Sequence, residues 1–511
     1  MAQAHKTKQN QKIVIIGAGI AGLCGAVYAR QCGYDVLLLE QADSAGGLAT
    51  SWHRGEYTFE NCLHWLLGSK PGGYLHDKWQ EVCDIDSLTF VDHRVSTRVE
   101  TESGESLTIY TDVDRLEAEL LEVAPQDEKE IRHFTAAIRR FTKLVLPDPD
   151  EPWSRKWLPM LRALPELPLL RQWSRLSLED CAARFTHPLL KSYFDNGGIS
   201  RLTALALVLS LAWMNGRNAG YAIGGSQTII RAIQQRLSEL GGRVRFGAKV
   251  EKILVENNAA VGVKLVGGET IPADWVISAA DGHATIYDLL AGKYADKVTE
   301  ETYNTLELFP SYLQVSLGVA MDLVNQPPML ARILDTPLHV DPRTELQQVA
   351  FRFFHFDPTF APKGKTAVIC FLPTRNYEYW LDLQQHQPDR YKEEKHRVAD
   401  AVISILEKFV PNVRQAIEAI DVCTPATIIQ YTGNWQGSME GWLLTPHTGF
   451  QPLRKTLPGL QQFMMIGQWT MPGGGLPSGL MTARSALHAI CKHDGVPFRV
   501  RREMPELAKA A

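Results

Sequence analysis

The sequence predicts an α/β fold in which one domain, built from separate stretches of chain, is interrupted by a second domain of mixed α+β structure. Three observations lead there. A strand, a glycine turn and a helix open the chain in "KIVIIGAGIAGLCGAVYARQ", from Lys12, and recur near its end in "FMMIGQWTMPGGGLPSGLMTARSA", from Phe463. A glycine-led helix and strand, "GGSQTIIRAIQQRLSELGGRVRFGAKVEKI", stand between them. The length, 511 residues, exceeds what one ordinary core organises.

Each element follows from local chemistry. Lys12 to Ile16 is the continuous apolar run expected of a strand buried on both faces. Ala21 to Gln31 is rich in helix formers, and Gly33 stands where a helix C-terminal glycine belongs. Val36 to Leu39 is the next buried strand, completing a βαβ unit. From about 115 to 215 helical patterns dominate, with a stretch dense in Pro, Trp and Arg, "PDPDEPWSRKWLPMLRALPELPLLRQWSR". Strands are expected at Val244 to Phe246, Val250 to Val255, Ala260 to Leu265 and within "DWVISAA". The expected division is 10–115, 216–300 and 455–495 for the discontinuous nucleotide-binding domain, with 116–215 and 301–454 for the substrate domain.

Composition narrows the function classes. With 45% hydrophobic and 22% charged residues and a net charge of −4, neither disorder nor a nucleic-acid partner is indicated. The eight cysteines include no CxxC pair, so neither a zinc site nor a disulfide framework is expected, and no cluster of metal ligands stands out. The polar opening "MAQAHKTKQNQK" lacks the apolar stretch of a secretory signal, which points to the cytoplasm. The longest apolar run, Leu202 to Met214, is too short to cross a bilayer and reads as a buried helix or the wall of a lipid-binding tunnel.

Gly17, Gly19 and Gly22 form GxGxxG between the first strand and helix. The first glycine permits the tight turn, the second lets a pyrophosphate approach, and the third lets helix and strand pack closely. Amides at the helix start, those of Ile20 and Ala21 among them, would hold phosphates. Glu40, eighteen residues after Gly22, ends the second strand where a carboxylate can accept from a ribose diol. NAD and FAD both suit this Rossmann-like fingerprint. A second glycine pair, Gly46 and Gly47 in "EQADSAGGLATSW", marks another close backbone approach to a ligand.

GxGxxG, then Glu, then a glycine doublet resembles the two-dinucleotide-binding-domain flavoproteins, which implies FAD, with Gln41 and Leu48 added to its contacts. In that superfamily a late strand, Gly-rich turn and helix point at the flavin. "GQWTMPGGGLPSGL" is similar to it, bringing in Gly467, Gln468, Gly475, Leu476 and Pro477. Over the whole chain the resemblance is to the phytoene-desaturase-related group of carotenoid desaturases, carotenoid isomerases and retinol saturases. It implies adenine contact through the backbone of Val250 and closure of that region by Ala279 to Asp281, Ala280 included. Two departures stand out: Leu48 occupies the place where relatives carry Arg or Lys, and "FENCLHWLLG" replaces their Phe-Asp-x-Gly-Pro.

By the same resemblance His64 runs beside the flavin, where it can donate a hydrogen bond or shuttle a proton, or simply pack. Cys62 is adjacent, but nothing in the sequence calls for covalent flavin. Trp435 and Trp442 line either the site or the core, and Arg352 in "FRFFHF" alternates with apolar neighbours as in a half-buried strand. Residues 139–175 carry eight Lys/Arg against four Asp/Glu among Trp and Leu, a composition suited to peripheral contact with an anionic membrane. The expected activity is FAD-dependent desaturation, saturation or cis–trans isomerisation of a hydrophobic polyene or lipid-like substrate. Quinone, oxygen or NADPH would be the redox partner. Amine oxidation on the same scaffold is the second reading. A flavin-free prenyl or lipid carrier, like the GTPase dissociation inhibitors, is the third.

Overall fold

The computed structural model describes residues 11–145, 157, 160–194, 198–449 and 453–500. Five parallel strands run in the order Arg243–Arg245, Asp35–Leu39, Lys12–Ile16, Trp275–Ser278, Phe463–Met465. Strands from the start, middle and end of the chain are thus immediate neighbours. The apolar run of the first strand now has its reason. Ile13 and Ile15 pack with helices Ile20–Gln31, Gly225–Glu239 and Gly475–Asp494. Val14 and Ile16 face the other way, onto an antiparallel sheet of Val250–Glu256, Ala259–Leu265 and Thr270–Pro272. Side chains alternate across a strand, so burial on both faces leaves no polar position. Gly33, at φ +91°, turns the chain after the first helix and lets Tyr34 N–H reach the Ala29 carbonyl at 3.1 Å.

A second sheet of seven strands runs Ile417–Cys423, Ser311–Val319, Thr366–Thr374, Thr344–Phe353, Met329–Asp341, Val95–Glu100, Ser106–Tyr110. Its last two strands fall in the stretch that the sequence groups with the nucleotide-binding pieces, 10–115; the hydrogen bonding puts them here instead. Val95–Glu100 pairs in parallel with Met329–Asp341, and the Arg332–Glu100 ion pair at 2.8 Å fastens the seam. Partner choice between distant strands leaves no local mark in a sequence.

Helices Tyr377–His386 and Pro388–Glu407 cover one part of this sheet. Val99, Leu107 and Ile109 join a helical cluster built around Glu128–Thr142 and Ala204–Asn215. The latter is the apolar run at 202–214. Thr203 caps it by accepting from Leu205 N–H, and its apolar character is explained by neighbours that bury it on most sides. Among the described residues no helix is long and apolar enough to cross a membrane. Residues 146–156 of the basic stretch lie outside those described.

Candidate functional site

The first glycine cluster is a cradle closed by backbone. Gly17 has φ +94°, and a Cβ there would meet Ala279 and Ala280 backbone at 3.3 Å. A Cβ on Gly22 would lie 1.9 Å from the Gly17 carbonyl oxygen, a position that only glycine can occupy. Gly19 bridges to Gly46, whose N–H donates to the Ala18 carbonyl at 2.9 Å. Gly46 and Gly47 both have positive φ, +133° and +62°. Glu40 is nearly buried and braces the turn, its carboxylate accepting from Ala18 N–H at 2.6 Å and Ala42 N–H at 2.9 Å. Ala248 N–H donates to the Glu40 carbonyl at 2.7 Å, which draws the segment leading to Val250 onto the same edge.

The late glycine turn joins this cradle directly. A Cβ on Gly467 would sit 3.4 Å from Ala21, and one on Gly479 would be 2.6 Å from Ile20 and 3.2 Å from the Ala21 amide nitrogen. Glycine at 479 therefore lets the first turns of helices Ile20–Gln31 and Gly475–Asp494 touch. Neither N-cap, Gly19 or Gly474, makes a side-chain capping bond, so first-turn amides at both starts are left for a ligand. Leu476 is buried and Pro477 occupies the first turn. A dinucleotide cofactor fits this arrangement: apart from Gly19, each glycine of the cradle has a positive φ or no room for a Cβ.

Three expected contacts point elsewhere. Gln41 is exposed, and its amide donates to the Tyr431 carbonyl at 3.1 Å. Gln468 donates to Asn434 Oδ1 at 3.2 Å. The Leu48 side chain packs with Tyr312, Cys423 and Ile428, while its carbonyl accepts from Asn61 at 2.8 Å.

His64 lines a cavity of about 100 Å³ together with Trp65, His93, Met214, Arg352 and Phe356. Its side chain is open to that cavity yet enclosed by protein, and burial, helped by the Arg352 charge, pushes its pKa well below the ordinary value. The ring is held neutral, which suits a hydrogen bond and not an acid role near pH 7. Burial and the neighbouring Glu60 raise the Cys62 thiol, so this cysteine is a poor nucleophile. Trp435 and Trp442 belong to an aromatic core: Trp442 is fully buried, 5.3 Å from Trp469 and 5.0 Å from Tyr303, and Trp435 stacks on His283 at 4.8 Å.

One carboxyl, Glu440, was not named from the sequence, and a second, Asp281, was named there only as closing the adenosine region. Glu440 lies against the late turn, its Cβ 2.5 Å from where a Gly474 side chain would start. It is half-buried without a hydrogen-bond or ion-pair partner among the described residues, and desolvation pushes its carboxyl up to about 7. Asp281, also pushed up to about 7 by burial, accepts from Ala284 N–H and Trp435 N–H at 2.8 Å each. Glu440 was invisible because one acid in "GSMEGW" carries no motif. Asp281 follows "WVISAA", and a carboxylate at the end of a buried strand was the available signal.

Known proteins are similar to this chain over most of its length. A phytoene desaturase (neurosporene-forming) of Rhodobacter capsulatus is 26% identical over 93% of this chain and 93% of its own length. A chloroplastic prolycopene isomerase of Daucus carota is 26% identical over 91% of this chain and 77% of its own. A putrescine oxidase crystallised with putrescine shares the fold, with a TM-score of 0.61 at 14% identity over 94% of this chain and 99% of that one. The family model for flavin-containing amine oxidoreductases matches residues 20–490, from the first glycine-turn helix to the last, and the chain belongs to that family.

Proposed function

We propose that the protein is an FAD-dependent oxidoreductase acting on carbon–carbon bonds of a hydrophobic polyene or lipid-like substrate, by desaturation, saturation or cis–trans isomerisation. The likeness to carotenoid desaturases and isomerases along nearly the whole chain carries this reading. FAD, when bound, supplies hydride chemistry at the substrate carbon. Gly17, Gly19, Ile20, Ala21 and Gly22 would hold its pyrophosphate, with Glu40, Val250 and Ala280 on the adenosine side. Gly46, Gly47 and the turn at Gly467, Gly475, Leu476 and Pro477 would hold the remainder.

The chain's own groups divide the remaining work. Glu440, unpaired and half-protonated near pH 7, takes or returns a proton at its carboxyl. The positive end of helix Gly475–Asp494 favours its ionised form by about 1 kcal/mol, and burial outweighs that. His64 offers a neutral hydrogen bond. Trp65, Met214, Met329 and Phe356 keep water from the substrate. The buried guanidinium of Arg352 on the same wall repels an ammonium ion, which weighs against an amine substrate.

Exposed Trp157, Met160, Leu161, Leu164 and Leu167 present an apolar face beside basic residues, and we assign it to membrane contact, through which an insoluble substrate would be collected. Co-sedimentation with phosphatidylglycerol vesicles tests this, and failure to bind would remove it. The central test is an anaerobic visible spectrum of the purified protein before and after NADPH. Bleaching selects saturation or reduced-flavin isomerisation. A lasting oxidised spectrum selects desaturation, with quinone or oxygen as acceptor. A colourless protein that takes up no FAD overturns the reading.

A further inference from the structure

Arg352 is the least accounted-for charge in the interior. It lies on strand Thr344–Phe353, paired with Met329 and Ile369 on the flanking strands, and is 6% exposed. Its Nη2 donates to the Leu63 carbonyl at 2.9 Å, the guanidinium stands 4.9 Å from the centre of the Phe354 ring, and its Nη1 is buried with no partner. No carboxylate among the described residues pairs with it. Glu60 is within electrostatic reach, but its oxygens already accept from Cys62 N–H, Leu63 N–H, and the Ser226 N–H and hydroxyl. Asp92, the acid that lines the cavity itself, is exposed. His64 and His93, both held neutral beside Arg352, add no countercharge.

A buried cation with an unused donor is costly unless a ligand completes it. The glycine cradle supplies none of the walls of the cavity that Arg352 lines, and most of those walls are apolar: Trp65, Met214, Met329, Phe356. A volume of about 100 Å³ suits an end group and not a long chain.

We propose that Arg352 anchors a terminal oxygen acceptor, a carboxylate or carbonyl, on the hydrophobic substrate. The substrate is then an oxygenated chain and not a plain hydrocarbon. This rests on the flavin-dependent reading above and narrows its substrate class.

The experiment is equilibrium dialysis of the flavin-loaded protein against retinoic acid, retinal and axerophthene, the matching hydrocarbon. Acid and aldehyde should bind about tenfold or more tighter than the hydrocarbon, the scale of a charge-assisted hydrogen bond. Arg352→Gln should erase most of the preference for acid, Arg352→Lys should keep part of it, and hydrocarbon binding and flavin content should not change. Equal binding of all three ligands by the parent, a comparison that needs no variant, overturns the proposal. So does loss of flavin from an otherwise folded R352Q, which would assign the guanidinium to the cofactor. Palmitate against hexadecane separates this proposal from the functional reading. Arg352-dependent uptake of palmitate with no polyene bound keeps the anchor and removes the polyene, whereas no preference in either pair removes the anchor.

Discussion

The glycine cradle and the cavity around His64 are specified in opposite ways. The cradle is made of backbone: Gly22, Gly46, Gly474 and Gly479 each have an atom too near for a Cβ, Gly17, Gly47, Gly467 and Gly475 have positive φ, and Glu40 contributes by holding two amides in place. The cavity is made of side chains from segments scattered between residues 64 and 356, and its electrostatics come from burial. A backbone site tolerates no added atoms but is indifferent to pH. A side-chain site tolerates shape changes but is sensitive to charge.

The sharpest test of that contrast is Gly22→Ala. One methyl group placed 1.9 Å from the Gly17 carbonyl should destabilise the protein by about 3 kcal/mol and release its flavin. Urea unfolding and the ratio of flavin to protein absorbance measure both, and a variant that keeps its flavin at parental stability would show that the turn yields.

Glu440→Gln tests a side chain set against the cradle's late turn, where charge and not steric fit is at stake. The carboxyl, ordinarily at 4.5, is raised to about 7 in the fold, so the folded state keeps a proton that the unfolded chain has lost. Its contribution to stability is full below about pH 4.5 and disappears as pH rises through 7. The neutral amide should flatten this fall, leaving the variant more stable than the parent above pH 7 by on the order of 2–3 kcal/mol. Unfolding curves from pH 5 to 8 measure it. Parallel curves for variant and parent would mean that the carboxyl is hydrated. Turnover, where Glu440 moves a proton, should fall in the same variant and lose its pH dependence near 7.

The smallest effect is expected at Gly33→Ala. This glycine also has positive φ, +91°, but nothing lies within 4 Å of a Cβ there. Only backbone strain remains, about 1 kcal/mol, with flavin content unchanged. A large loss of flavin at Gly33 would erase the distinction between glycines that make the site and one that merely turns the chain.

The legibility of the two regions follows from the same physics. Gly17, Gly19, Gly22 and Glu40 could be read from spacing because strand, turn and helix are consecutive in the chain. Gly479 was in plain view in "PSGLM", yet its partner, Ile20, is at the other end of the sequence. Arg352 looked like one residue of an alternating strand until Leu63 and the two histidines were brought against it. Trp435 and Trp442, candidates for the site by their neighbourhood, went to the core because Trp469 and Tyr303 gave them a closer apolar surface.

The sequence by itself determined the strand, turn and helix of each glycine unit, the acid at 40 and the apolar helix near 204–215, since propensity, periodicity and steric exclusion act between residues a few positions apart. Tertiary structure alone decided that Val95–Glu100 joins the large sheet, that two helix starts touch through Gly479, and that Arg352 is buried with Nη1 unpartnered. Desolvation and cross-sheet pairing depend on what surrounds a residue in space, and the order of residues along a chain does not contain that.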